Sequence, residues 1–201
     1  MSFEFLAGNL ALDFVATVAE RTTTHLERLQ RGADLADWIV QAHLLDSPPA
    51  VSQRDLAAAK QLREALFRLI SALTEQTPLP EADRLLVNHF AAAAPPTLSV
   101  TPEGRVRQDG GVAAALAVLA RAGIQLFDQP DKQLVRWCAD ARCTRPFIDR
   151  SRGHRRRWCG MAGCGDRAKA AAYRQRQRQR QQQGASPAQT IPQGSGEAGG
   201  S

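Results

Sequence analysis

The stretch that decides the reading runs from Trp137 to Gly165, WCADARCTRPFIDRSRGHRRRWCGMAGCG. It holds all four cysteines of the 201-residue chain, Cys138, Cys143, Cys159 and Cys164, spaced C-x4-C-x15-C-x4-C. Two equal short pairs around a longer loop suit a tetrahedral zinc site in which each knuckle gives two thiolates. Disulfide frameworks belong mostly to small secreted scaffolds, and the N-terminus MSFEFLAGNL has no basic segment ahead of an apolar one. The spacing therefore favours one zinc ion per chain over disulfides or free thiols. Four thiolates leave no position for a substrate water, so such a metal is structural. His154, between the pairs, could replace one cysteine as ligand, but in Gly-His-Arg-Arg-Arg it reads first as a solvent-exposed or phosphate-contacting residue.

Charge marks the same region. Residues 1 to 135 carry 12 Lys and Arg against 16 Asp and Glu, while residues 136 to 180 carry 14 against 3. The overall +6 thus joins an acidic body to an intensely basic end, a pattern that points to a polyanionic partner, most often nucleic acid or an anionic membrane surface. Composition, at 43% hydrophobic and 23% charged, suits a packed core. No apolar run is long enough to span a bilayer, so neither a membrane location nor classical secretion is expected.

The body reads as mainly α-helical. Leu10, Phe14 and Val18 at four-residue spacing favour a helix after Asn9, although Leu10, Leu12 and Phe14 also alternate like a strand. Residues 33 to 45 carry one stripe through Leu35, Trp38, Ile39, Ala42 and Leu45, which makes Trp38 a core residue. Ser52 opens a helix over 52 to 74 with Leu56, Ala59, Leu62, Leu66, Leu69, Ile70 and Leu73 on one face and Arg54, Lys60, Arg63 and Arg68 mostly elsewhere. A further helix over 81 to 94 would turn Leu85, Leu86, His89 and Phe90 inward. A small hairpin pairs 98 to 100 with 105 to 107, and Val112 to Phe127 is again helical. Around the cysteines, 134 to 137 and 146 to 148 are strand-like, and Asp166 opens a last helix. The expected fold is a mainly α N-terminal domain with a small β-hairpin over 1–130, a small four-cysteine zinc finger of short hairpin and helix over 131–180, and a disordered tail over 181–201. The body is expected to keep its own structure when the metal is removed.

The cysteine segment closely resembles the CGNR zinc finger family, whose finger follows a bacterial N-terminal domain called ABATE. The resemblance rests on Cys138-x4-Cys143, Phe147, Asp149-Arg-Ser151, Arg156-Arg157-Trp158-Cys159 with Met161, and Cys164-Gly165-x-Arg167 leading into Ala168-Lys169. The opening GNLALDFVAT, Gly8 to Thr17, looks like the start of the ABATE domain. Asp166 stands where the family name has Asn, and Ala16 where the opening motif usually has Asn; Asp and Asn are both good helix caps. The resemblance implies a DNA-binding transcription regulator of the bacterial cytoplasm, with Cys138, Cys143, Cys159 and Cys164 on zinc and an N-terminal domain that senses a small molecule or forms a homodimer.

Nucleic-acid contacts are expected from Arg155, Arg156, Arg157, Arg167, Lys169 and Arg174, with DNA ahead of RNA. The repeat from Arg174 to Arg180 advances about 200° per step on a helix, so its arginines do not form one reading face. RNA or ribosome binding is the alternative, and a small-molecule-binding helical domain with a purely structural finger is another. No Gly-rich phosphate loop, H-E-x-x-H or G-x-S-x-G is present, so an enzyme is not expected. Asp13, in an apolar run, is either a ligand contact or a buried carboxylate that caps a helix or pairs with arginine. His25, His43 and His89 read as ordinary surface or core-edge histidines.

Overall fold

Asn9 resolves the first ambiguity. Its side chain accepts hydrogen bonds from the N–H groups of Ala11 (2.8 Å) and Leu12 (3.3 Å), capping helix α1, Leu10–Val15. The structure is a computed structural model, and it describes residues 2–128 and 130–184. After α1 come a two-residue pair of strands, β1 (Val18–Ala19) and β2 (Leu26–Glu27), then helices α2 (Gly32–Gln41), α3 (Gln53–Glu75) and α4 (Glu81–Ala91). The hairpin β3 (Thr97–Val100) with β4 (Val106–Asp109) follows in antiparallel register, Val100 opposite Val106, and then α5 (Val112–Asp128). The cysteine segment begins with β5 (Val135–Trp137) and β6 (Pro146–Ile148), and α6 covers Asp166–Gly184.

Local chemistry fixes most boundaries. Ser52 accepts from the Asp55 N–H at 3.1 Å while Asp55 accepts from the Ser52 N–H at 2.9 Å, a reciprocal cap that starts α3. Gln76, in the left-handed region, and Pro78 end it. Helices α1, α3, α4 and α5 pack on one another around Leu12, Leu62, Leu66, Leu116 and Leu119, all fully buried. Trp38 is buried too, with Phe14 at 5.0 Å and Phe5 at 5.6 Å between ring centroids, as its place on the α2 stripe requires. Arg121 of α5 donates to the carbonyls of Ala91 (2.9 Å) and Ala93 (2.8 Å), two acceptors that the end of α4 leaves open.

Two side-chain placements correct the sequence reading. Arg63 is not on the outer side of α3: it is 2% exposed, forked onto Glu27 with both bonds at 2.7 Å and donating to Thr17 Oγ1 at 3.1 Å. Burial would raise the Glu27 carboxyl, but the Arg63 guanidinium overrides it and holds the group below its ordinary range. On α4, Leu85 and His89 face outward while Asp83 and Val87 are buried. Asp83 is bound by Arg68 of α3 at 2.6 Å, and that pair sets the rotation of α4.

The chain's first compact unit is Met1–Gly165, which includes all four cysteines, and the second begins at Asp166. Within the first unit Ile148 donates its N–H to the Ala7 carbonyl at 2.8 Å, and the Arg21 N–H reaches Thr144 Oγ1 at 3.1 Å. Trp137 Nε1 donates to Thr74 of α3 at 2.9 Å and its ring meets Phe67 edge-on. The disordered tail expected over 181–201 is corrected at its start, because α6 continues to Gly184; residues 185–201 lie outside the described residues.

Gly123 lies where α5 passes α3. A Cβ there would collide with Cδ2 of buried Leu66 and lie 3.6 Å from the Ala11 Cβ. Alanine adds about 1 kcal/mol of helix propensity, but overpacking a close-packed core costs about 1–3 kcal/mol, and the Leu66 side chain that would have to move is 1% exposed. Gly123→Ala is expected to lower the denaturant midpoint. Gly111→Ala, whose Cβ would meet nothing within 4 Å, should cost less, since only the preference for glycine at the start of α5 is lost.

Candidate metal centre and basic surface

The hairpin of β5 and β6 presents the first cysteine pair. Its last register pair is Trp137 opposite Pro146, beyond which the Cys138 N–H bonds the Arg145 carbonyl at 3.1 Å and the Cys143 N–H closes a turn on Asp140 at 2.8 Å. The second pair is brought back by Ala139, whose N–H bonds the Arg157 carbonyl at 2.8 Å, and by the Cys159 N–H, 3.5 Å from Cys138 Sγ. Gly163, at φ +90°, makes the turn that returns Cys164, a conformation glycine adopts without strain.

The four Sγ atoms all lie within 4.8 Å of one another, with Cys143 to Cys159 at 3.7 Å and Cys159 to Cys164 at 3.8 Å. A tetrahedron with Zn–S bonds of about 2.3 Å has S–S edges of about 3.8 Å, so this cage can hold a zinc ion. Crowding splits the sulfur acidities. Hydrogen bonds from neighbouring thiols pull Cys138 far below an ordinary thiol, its hydrogen bonding to Cys143 and Cys159 raises both, and burial pushes Cys164 up to about 12. A divalent cation supplies the charge that lets all four ionise together. His154 stands apart from this group. Its ring Nδ1 is 2.9 Å from the Asp149 carbonyl, which can only accept, so that nitrogen carries the proton.

The arginines divide into two kinds. Arg145 pairs with Glu4, and this pairing outweighs burial to hold the Glu4 carboxyl low. Arg156, expected among the nucleic-acid contacts, is used inside the unit: it donates to the carbonyls of Trp158 (2.9 Å), Leu6 (3.0 Å) and Cys159, and its guanidinium lies 4.5 Å over the Phe147 ring. Arg155 and Arg157 are exposed, the latter 5.4 Å from the Trp158 ring centroid. In α6, Arg167, Lys169 and Arg174 are exposed and Lys169 pairs with Asp166 at 3.6 Å. These three belong to the second unit.

One organising residue enters the sequence reading only within the motif Asp149-Arg-Ser151, with no role of its own. Asp149 is 0% exposed and accepts from the Ser151 N–H (3.0 Å), the Ser151 hydroxyl (2.6 Å) and the Arg156 N–H (2.9 Å). Burial alone would raise its carboxyl, but the bonds from Ser151 and Arg156 hold it below the ordinary range. Ser151 Oγ in turn accepts from the Arg155 N–H at 3.1 Å and the Arg156 N–H at 3.2 Å. Asp two residues before Ser is the signal for such a turn. Its result is a fixed loop that also exposes Arg152, a residue missing from the expected contacts.

Asp13 is a buried carboxylate, and the partner the structure gives it is a backbone N–H and not the helix cap or arginine pairing expected. It is buried in the first turn of α1 and accepts from the Ala7 N–H at 2.9 Å. Of the other expected surface histidines, His25, His43 and His89 are all exposed.

A four-sulfur cage set into a helical body defines a zinc-finger protein. Comparison with known families gives the same division: residues 8–130 match the ABATE family, described as "Putative stress-induced transcription regulator", and residues 135–177 match the CGNR zinc finger. The first match spans more than half of the chain, and the chain belongs to the ABATE family. No curated protein matches it. Among the described residues no helix is long and apolar enough to cross a membrane.

Burial pushes the Asp13 carboxyl up to about 6, against hydrogen bonds from the Ala7 and Leu6 N–H groups. A folded-state value above that of the unfolded chain means that folding favours the neutral acid. The resulting stability is complete below about pH 4 and is lost as pH rises through 6, at about 1.4 kcal/mol per unit and roughly 3 kcal/mol in all. Asp13→Asn should therefore gain on wild type as pH rises from 4 to 7, read as the difference between their melting temperatures. A difference that does not change with pH would contradict this.

Proposed function

We propose that this protein is a non-enzymatic, zinc-dependent nucleic-acid-binding regulator of the bacterial cytoplasm, with duplex DNA as its partner ahead of RNA and a helical domain that senses or dimerises. One structural zinc ion per chain is held by Cys138, Cys143, Cys159 and Cys164. A reducing compartment suits four cysteines that form no disulfide. The family description supports the regulatory role.

The observation that carries the reading is the loop tied down by Asp149 and Ser151 between the two cysteine pairs. It fixes the backbone beneath Arg152, Arg155 and Arg157 and leaves their side chains exposed. Side chains on a fixed backbone lose less entropy on meeting phosphates than those on an unanchored one. Phosphate contacts give affinity and register, whatever the base sequence.

Replacing Arg152, Arg155 and Arg157 by alanine is expected to weaken binding more than replacing Arg176, Arg178 and Arg180, and to reduce the salt slope by roughly 0.9 for each duplex phosphate no longer neutralised. Arg156 is kept intact because its contacts are internal. Binding of one duplex DNA, one structured RNA and one single strand at fixed salt checks the partner; preference for the structured RNA would move the reading to RNA, and no binding to any would remove it. Elemental analysis should find zinc lost from Cys159→Ser, since site and fold form in one equilibrium. Full zinc in that variant would overturn the ligand set.

A further inference from the structure

The hollows of the first unit differ in kind. Two beside Asp13 are each about 10 Å³, room for one water. A hollow of about 400 Å³ beside the β3–β4 hairpin is wide open and its lining residues are mostly polar or charged, Asp46, Arg105 and Asp109 among them. Another, about 190 Å³, is apolar and lies among α3, α4 and α5. Its lining includes Leu69 and Val87, both buried, and Phe127. Leu79 and Ile124 also line it, each 39% exposed, large apolar side chains that the fold leaves open to water.

The wall is set before any ligand arrives. Leu79 sits between Pro78 and Pro80, so the φ angles on both sides are fixed and Leu79 itself is confined to extended backbone. Two polar side chains of α4, Arg84 and Asn88, join this apolar lining. The Arg84 guanidinium is 3.8 Å from Glu81, too far for a hydrogen bond, and both side chains are well exposed. A cavity of about 150 Å³ lined by aliphatic and aromatic side chains takes a benzene ring, so this one accommodates a ring or a short chain with one polar group attached. Of the polar groups such a molecule could carry, a carboxylate complements a guanidinium with a neighbouring amide.

We propose that this cleft binds a small apolar monocarboxylate, with the hydrocarbon body against Leu69, Val87, Ile124 and Phe127 and the carboxylate at Arg84 and Asn88. The inference deepens the reading of the helical domain as a sensor by giving its effector a chemical class. Binding is measured without nucleic acid, so its failure and the failure of nucleic-acid recognition are seen separately.

The experiment is calorimetric titration of the zinc-loaded full chain with phenylacetate and hexanoate, each against its uncharged amide. At least one acid should bind, about tenfold more tightly than its amide. Arg84→Gln should abolish that preference while leaving the amide's affinity unchanged. Ile124→Trp, which fills the cleft from an exposed position, should remove binding of both without lowering the melting temperature. No heat from either acid at millimolar concentration would overturn the proposal, as would equal affinity for acid and amide or undiminished binding by Ile124→Trp. A concentration-dependent dimer broken by Ile124→Arg would assign the cleft to a second copy instead and overturn it as well.

Discussion

Ile148 gives its backbone N–H to the carbonyl of Ala7, and the arrangement of the first unit follows from that bond. It places an N-terminal segment, close in sequence to α1, against the strand that follows the first cysteine pair. Neighbouring contacts repeat the join: Asp13 holds the Ala7 N–H, Arg156 holds the Leu6 carbonyl, and Arg145 pairs with Glu4. The metal segment alone has too few apolar residues for a core of its own. Phe147, fully buried, shares the core of the helices, as do Val135 and Ile148. The zinc cage and the helical body are therefore parts of one compact unit, although the family boundaries at 130 and 135 separate them as sequence modules.

This packing gives the basic residues two different tasks. Arg145 and Arg156 lie at the join and hold carboxylate and carbonyl oxygens from the N-terminal segment. Removing either loosens this join, and Arg156 also holds the carbonyls of Trp158 and Cys159. Arg152, Arg155 and Arg157 sit on the same loop with their side chains exposed. Asp149 separates the two groups, because its buried carboxylate fixes the loop backbone that decides which arginine points where. A positive stretch that looks uniform in sequence thus has a structural part and a part open to a polyanion.

Much of this was legible from residue type and spacing, where the signal is local. Asn9 before an apolar run and Ser52 three residues before Asp55 announce helix starts because the cap is made by neighbours in sequence. The cysteine spacing was equally readable, since two short pairs are what a four-sulfur cage needs. Features set by distant partners were not legible. Arg63 reads as a surface residue until Glu27, from another element, is found beside it. The rotation of α4 depends on Arg68 reaching Asp83, and neither residue alone says that Leu85 will face water. The join at Ala7 leaves no mark in sequence at all, because a backbone hydrogen bond can be made by almost any residue.

The bonds from Ile148 to Ala7 and from Trp137 to Thr74 tie the metal cage to the helical body, and the two are expected to fold together. Hydrogen exchange of the amides in α3 and in β5–β6, measured on zinc-loaded protein and again after a strong chelator, tests this most directly. Protection in α3 should fall together with protection in β5 and β6, since Thr74, Phe67, Trp137 and Ile148 share one packed region. Loss of protection confined to β5 and β6, with α3 unchanged, would contradict it and make the cysteine segment a separate module.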